Sequence, residues 1–238
     1  MIIENGESMI CEENGINLKN EKSLHASIKK WYAKPGDRFE AKVGSHIVDI
    51  VRGDLLIEIQ TVGFSSIRNK LRKLTEKNQV RLVHPIAREK IIIRTNASGD
   101  YVLSSRKSTK TGKLIDIFRE LISMPSMINE ANFSLEVLMI KVEELRCEDG
   151  KGSWRRRKVS IQDRKLIEVF ESFVFNTRQD FLQFLPQGLC KNFTTKDLAE
   201  ISGYKVNECQ RIAYCLKKMG AIREVGKKGR CILYEIEE

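Results

Sequence analysis

The sequence predicts an α/β protein: a mixed sheet flanked by helices, followed by a smaller α+β unit. Three observations carry that prediction. The chain has 238 residues, 41% of them hydrophobic, enough for one large or two small cores. Between Asn20 and Arg94 the hydrophobic pattern switches between helical and strand periods in the order helix, hairpin, helix, strands. From Thr194 to Glu238 a second pattern sets in: short helix, tight turn, longer helix and a glycine-tipped hairpin.

Taken in order, residues 1–19 mix Glu, Asn and Gly without a period and read as a tail. Leu24, Ile28 and Trp31 then recur at helical spacing behind Asn20 as N-cap, predicting an amphipathic helix that Lys34-Pro35-Gly36-Asp37 breaks. Ser45–Val51 and Leu55–Thr61 read as two strands joined by a short Arg52-Gly53-Asp54 connection. Phe64–Lys77 is a basic helix with Ile67, Leu71 and Leu74 on its apolar side. Strands are predicted at Val80–Pro85, Lys90–Arg94, Tyr101–Ser104 and Leu135–Leu145, and a helix at Lys113–Ser123. The turn-rich, basic stretch 148–160 reads as a linker, which divides the chain into a domain at 20–147 and another at 161–238. Helical periodicity is predicted to resume over Asp163–Phe175, before the helices at Thr194–Ile201 and Lys205–Met219 and the strands at Ala221–Val225 and Cys231–Ile236.

Charge narrows the function classes. Lys and Arg number 42 against 32 Asp and Glu, a formal net charge of +10, which favours a polyanionic partner, foremost nucleic acid. The composition excludes collagen, a disordered chain and a miniature disulfide scaffold. No apolar run approaches the roughly 18 residues of a membrane span, and no basic start leads into an apolar stretch, so the expectation is a soluble, cytoplasmic protein with no membrane partner. The six cysteines are scattered without a CxxC pair and read as reduced thiols.

Chemistry concentrates in Ile47-Val48-Asp49-Ile50 and Leu56-Ile57-Glu58-Ile59-Gln60. Asp49, Glu58 and Gln60 interrupt runs of Ile, Leu and Val; Glu58 and Gln60, two apart, share one face of a strand, with Asp49 on the neighbouring strand. Two carboxylates in an apolar sheet repel one another and are poorly solvated unless a cation or protons neutralise them. A divalent metal with oxygen ligands, Mg²⁺ or Mn²⁺, is the economical neutraliser. The alternative is that both acids lie on the wet face of a half-exposed hairpin, with Gln60 as ordinary polar alternation.

An acid in the first helix, an Asp on one strand and Glu-x-Lys on the next, followed by a helix, is the pattern of the PD-(D/E)XK nuclease superfamily, and residues 20–94 resemble it. The resemblance implies a restriction-endonuclease-like fold closer to the Holliday-junction-resolvase and RecB-like branches. It implies Glu21 as the helix acid, Asp49 and Glu58 as metal ligands, Gln60 in the lysine position, and a Mg²⁺-dependent DNA endonuclease. Two departures stand: no Pro precedes Asp49, and Gln60 replaces the lysine thought to position or activate water; Lys70 or Arg68 on the following helix would supply the missing charge. Arg68, Lys70 and Lys73 would face the phosphate. His25 and His84 are either structural or close to the site.

The C-terminal segment resembles a winged helix-turn-helix. Lys205, Asn207, Gln210 and Arg211 on its longer helix would enter a major groove, and Lys227, Lys228 and Arg230 at the hairpin tip would reach the backbone; such a module also serves for protein docking. Trp154-Arg155-Arg156-Arg157-Lys158 reads either as a backbone clamp with Trp154 stacking or as an exposed linker. The expected function is a metal-dependent DNA nuclease held on DNA by the winged helix, a homodimer if both strands are cut. The rival is a nuclease-fold DNA-binding or regulatory protein that has lost activity with the lysine.

Overall fold

The computed structural model describes residues 23–237. It is mixed α/β: a seven-stranded sheet with helices on both faces, followed by a three-stranded sheet with two helices. In chain order the elements are α1 (Ser23–Tyr32), β1 (Arg38–Val43), β2 (His46–Arg52), β3 (Leu55–Ile59), α2 (Arg68–Thr75), β4 (Gln79–Thr95), β5 (Val102–Lys107), α3 (Phe118–Leu121), β6 (Phe133–Cys147), β7 (Ser160–Phe175), β8 (Asn192–Phe193), α4 (Thr195–Ser202), α5 (Val206–Met219), β9 (Ile222–Lys228) and β10 (Cys231–Ile236). The large sheet runs β1-β2-β3-β4-β6-β7, with β5 on the far half of β4; β3, β4 and β6 are parallel and the other pairings antiparallel.

One face of this sheet is covered by α1, whose Leu24, Ile28 and Tyr32 pack on Ile50, Ile57, Ile59, Val83, Leu138, Ile140 and Val142. Tyr32 Oη donates to Glu136 Oε2 at 2.6 Å, which pins the end of α1 to β6. The other face carries α2, α3 and α5 in a second continuous core.

β4 is one 17-residue strand where two short ones are expected. Pro85, the last residue of the first expected strand, lies between the end of β3 pairing at Val83 and the start of β5 pairing at Ile91. There β4 has a partner strand on one side only, so a missing N–H is tolerated. A bulge at Ala87/Glu89 follows, and Gly112 comes back to cover this edge: its N–H donates to Ala87 O at 3.0 Å, and a Cβ there would sit 2.6 Å from that oxygen.

The helix expected over Asp163–Phe175 is instead β7, paired along its length with β6. Three register shifts explain the misreading: bulges near Ile140, Val142 and Arg146 each insert an extra β7 residue. Leu166 and Val169, three apart, thereby face the α1 core, and Phe173, four further on, enters the core on the opposite face; spacings of three and four imitate a helix. Residues 148–159 consequently connect two neighbouring strands of one sheet rather than two domains. β1 was not expected at all, and Asn20 and Glu21 lie outside the described residues.

In the C-terminal unit the predicted elements are present within about a residue, except that β9 runs three residues further, to Lys228. Thr194 caps α4 by accepting from Lys196 and Asp197 N–H, and Asp197 returns the bond to Thr194 N–H at 2.8 Å. Among the described residues no helix is long and apolar enough to cross a membrane.

The far half of the sheet buries one carboxylate among three cations. Glu144, with none of its surface exposed, accepts from Arg146 (2.6 Å), Arg164 (2.8 Å) and Lys90 (3.0 Å). Burial alone would raise its pKa, but Arg164, Lys90 and Arg146 outweigh it and bring it down to about 2 from 4.5. A lowered folded-state pKa stabilises above the unfolded value and is lost as pH falls through the folded one. Glu144→Gln is therefore expected to cost roughly 2 kcal/mol at pH 7, less than the full shift because the cations are partly solvated. In acid-to-neutral thermal melts the gap to wild type should close between pH 4.5 and about 2.

Candidate active site

The β2–β3 hairpin turns at Gly53, whose φ of 54° is a left-handed value that favours glycine. Its register, Ile50 opposite Ile57, continued by one residue sets Asp49 opposite Glu58. The strands part there, and Asp49 Oδ2 accepts the Ile59 N–H at 2.8 Å in place of a ladder partner. Along β3, Ile57 and Ile59 face the α1 core and Leu56 the opposite core, so Glu58 turns toward α2.

On α2, Lys70 Nζ reaches Glu58 Oε1 at 2.5 Å and donates to Ile47 O at 2.5 Å. The approach to Glu58 is an ion pair that falls short of hydrogen-bond geometry, leaving buried Oε1 without a hydrogen-bond donor. On α1, His25 Nε2 lies 3.2 Å from Asp49 Oδ2. Gln60 follows β3; its side-chain Nε2 donates to Gly63 O and Ser66 Oγ, both at 3.0 Å. Buried His84, its pKa pushed down to about 4 by burial, is neutral and donates from Nδ1 to Gln60 O at 2.6 Å. His84 thus fixes the Gln60 backbone.

The two carboxylates diverge electrostatically. Glu58 is 2% exposed; burial and then the Asp49 charge raise its pKa to about 7, against the pull of Lys70. Burial would raise Asp49 too, but His25, the Ile59 N–H and Lys29 outweigh it and hold Asp49 below the ordinary carboxylate range. Such a pair, one acid titrating near neutrality and the other held ionised, suits general acid–base or metal chemistry. His25, Asp49, Glu58, Gln60 and Lys70 line one open cleft of about 480 Å³, whose Thr61–Val62 wall is shared with a smaller hollow against Asp163 and Arg164 of β7.

As a cation site the cleft offers two carboxylates, one with an orphaned oxygen, and this donor set suits a hard divalent ion. Among the described residues no group of three or more His, Cys, Asp or Glu is placed to hold a metal; Glu21, the third acid expected, lies outside them.

The other expected residues are dispersed. Arg68 turns away to donate to Ser123 O at 3.3 Å, and Lys73 is exposed one turn beyond Lys70. Arg155, Arg156 and Arg157 sit in the β6–β7 loop. Lys205 precedes α5, with its N–H donating to Glu208. Asn207 and Gln210 are exposed on α5 and Arg211 is half-buried; Gln210 shares a groove of about 340 Å³ with Arg230 of the β9–β10 hairpin. Lys227 and Lys228 are exposed on β9, with Lys228 Nζ 3.7 Å from Asp197 Oδ1. Sequence reasoning missed Ser66, and the only available signal was its spacing of six from Gln60.

Residues 22–176, from α1 to the end of β7, match the family model "Domain of unknown function (DUF8091)". An "Uncharacterized protein" of Treponema pallidum (strain Nichols) is 33% identical over 223 residues, covering 93% of this chain and 88% of that one. No solved structure matches. The family match spans the whole large sheet, with Asp49, Glu58, Gln60 and Lys70 inside it, and the chain belongs to the DUF8091 family.

Proposed function

We propose that this chain is a metal-dependent nuclease of the PD-(D/E)XK type that hydrolyses DNA phosphodiester bonds, with its C-terminal unit acting as a winged helix that holds it on DNA. One observation carries the reading: an Asp–Glu pair at the end of a hairpin in an open cleft, with a lysine ammonium 2.5 Å from the glutamate. The lysine missing from the strand position is replaced from the following helix by Lys70, so charge is conserved although sequence position is not.

Asp49 and Glu58 would hold Mg²⁺ or Mn²⁺. When bound, such an ion polarises a phosphate and lowers the pKa of a coordinated water. His25 and the Ile59 N–H keep Asp49 ionised and fixed through one oxygen. Lys70 supplies positive charge where the phosphate gains negative charge during attack. Gln60 has its amide nitrogen committed to Gly63 and Ser66, so its carbonyl is the group left to accept a hydrogen from the attacking water and orient it.

In the C-terminal unit, α4, the turn at Gly203, α5 and the β9–β10 hairpin follow the winged-helix order, with Gln210 and Arg230 facing one groove. These support a duplex-holding role with Lys205, Asn207 and Arg211 toward bases and Lys227 and Lys228 toward phosphates.

A second reading draws on the same Lys70–Glu58 pair: it partly neutralises Glu58 without any metal, as a DNA-binding protein that has lost catalysis would need. Plasmid, linear, single-stranded and branched DNA incubated with wild type and Glu58→Ala in Mg²⁺, Mn²⁺ or EDTA separates the two. The nuclease reading expects metal-dependent cleavage by wild type alone, with DNA binding by Glu58→Ala within about twofold of wild type. Tight, salt-sensitive binding without cleavage of any form would leave the inactive reading.

A further inference from the structure

The β6–β7 connection is a built loop that no catalytic step above uses. Residues 150–158 contain five cations, Lys151, Arg155, Arg156, Arg157 and Lys158, and no acid. Among the described residues none of the five ion-pairs with a carboxylate. The loop closes on itself: Gly152 N–H donates to Lys158 O at 2.7 Å, Lys158 N–H to Ser153 O at 3.1 Å and Val159 N–H to Arg156 O at 3.0 Å. A Cβ on Gly152 would lie 1.8 Å from Val159 O, so only glycine permits this closure. Arg157 and Lys158 are both held left-handed, at φ 53° and 63°.

What this closure displays is an aromatic ring. Trp154 is 81% exposed, with the Arg155 guanidinium 5.6 Å from its ring centroid. The tip of the β4–β5 hairpin lies alongside, since Cys147 Sγ contacts Asn96 O and the Glu148 N–H donates to Thr95 O; it adds Tyr101, 71% exposed. Unpaired cations interleaved with exposed aromatic rings suit a strand whose phosphates are met by charge and whose bases stack on rings. The bases of an intact duplex already stack on one another and offer no free face to Trp154. The strand that follows the loop is also tied to the helix that carries His25, because Ser23 at the start of α1 bonds to Asp163 and to Arg164 O on β7.

We infer that the loop 150–159 grips unpaired nucleic acid through Trp154 and the cations at 155–158, so that the substrate is DNA with a single-stranded region. This deepens the nuclease reading, on which the assignment of a substrate rests, while the binding itself requires no cleavage.

The test uses the full chain carrying Trp31→Phe, which leaves Trp154 as the sole tryptophan, in EDTA. A 15-nucleotide oligo-dT, a 15-base-pair duplex and phosphatidylserine vesicles are titrated while tryptophan emission is followed. Expected are saturable quenching by oligo-dT, and a loss of oligo-dT affinity of about tenfold or more in full chain carrying Trp154→Ala, followed by anisotropy of labelled DNA. Duplex affinity should stay within twofold. Replacing Arg155, Arg156 and Arg157 by Ser should flatten the log–log salt slope for oligo-dT by about two. No quenching by oligo-dT, equal quenching by duplex, or quenching by vesicles alone would overturn the inference. Quenching without cleavage would sink only the nuclease reading, and cleavage without quenching only this one.

Discussion

Lys70→Met is expected to lower metal-dependent cleavage by about 10²–10³-fold, whereas Gln60→Ala costs less than about tenfold. The asymmetry follows from where positive charge sits. On the nuclease reading Gln60 stands at the strand position of the missing lysine, but its amide nitrogen is held by Gly63 and Ser66. Lys70 brings its ammonium to 2.5 Å from Glu58 Oε1, in the same cleft as Asp49. A neutral, similarly sized side chain at 70 removes the charge while keeping most of the packing of the stem. It also leaves buried Glu58 without its nearest cation, so the metal-free protein should melt lower and, if the two acids hold Mg²⁺, recover on adding it. Steady-state cleavage at saturating Mg²⁺ and melting curves with and without it read both effects. Full activity in Lys70→Met beside a dead Gln60→Ala would return the role to the strand position.

Much of this site is legible in the sequence because polar residues inside Ile, Leu and Val runs are conspicuous. Asp49, Glu58 and Gln60 stand out in that way, and Lys70 lies on the basic helix that follows. What cannot be read is direction. Arg68 and Lys70 are equal candidates in sequence, and only the seating of Leu71 and Leu74 in the core turns Lys70 into the cleft and Arg68 toward Ser123. The Glu144 cluster is invisible for a different reason: its cations come from three strands, and Lys90 lies 54 residues away.

The fold divides similarly. Elements whose period is undisturbed, such as α4 and α5, match their predicted spans to within a residue, and cap residues such as Thr194 and Gly220 mark their ends, whereas α2 begins four residues later than its basic pattern, after a 3₁₀ turn at Phe64–Ser66. β1 is a mostly exposed edge strand with Glu40 at φ 49°, so it has little apolar alternation to detect. β7 carries three bulges, and each shifts the alternation by one residue. That single misreading moved the domain boundary, because a helix after a basic stretch looks like the start of a new unit, whereas a strand pairs back onto β6.

Phe181→Ala should destabilise the whole chain by about 3–5 kcal/mol, lowering Tm by roughly 10 °C in a single transition. Phe181 is fully buried in the segment that leads from β7 to the C-terminal unit. Its ring stacks on Phe175 of β7 at 4.5 Å and meets Phe118 of α3 edge-on at 6.1 Å; Phe184 completes the group at 4.8 Å from Phe118. These rings belong to the same core as Ile212 and Leu216 of α5 and Leu135 and Val137 of β6, so the C-terminal helices are packed onto the large sheet rather than tethered to it. Truncation to alanine removes the one ring that meets both Phe175 and Phe118 and leaves a cavity in its place. Calorimetry and far-ultraviolet melting decide the point: two resolved transitions, only one of them shifted, would mean independent units. One shared transition means that α5 and the β9–β10 hairpin are held at a fixed distance from Asp49 and Glu58. Duplex held by the C-terminal unit would then meet the cleft at a set spacing, and shortening the connection would not be a neutral change.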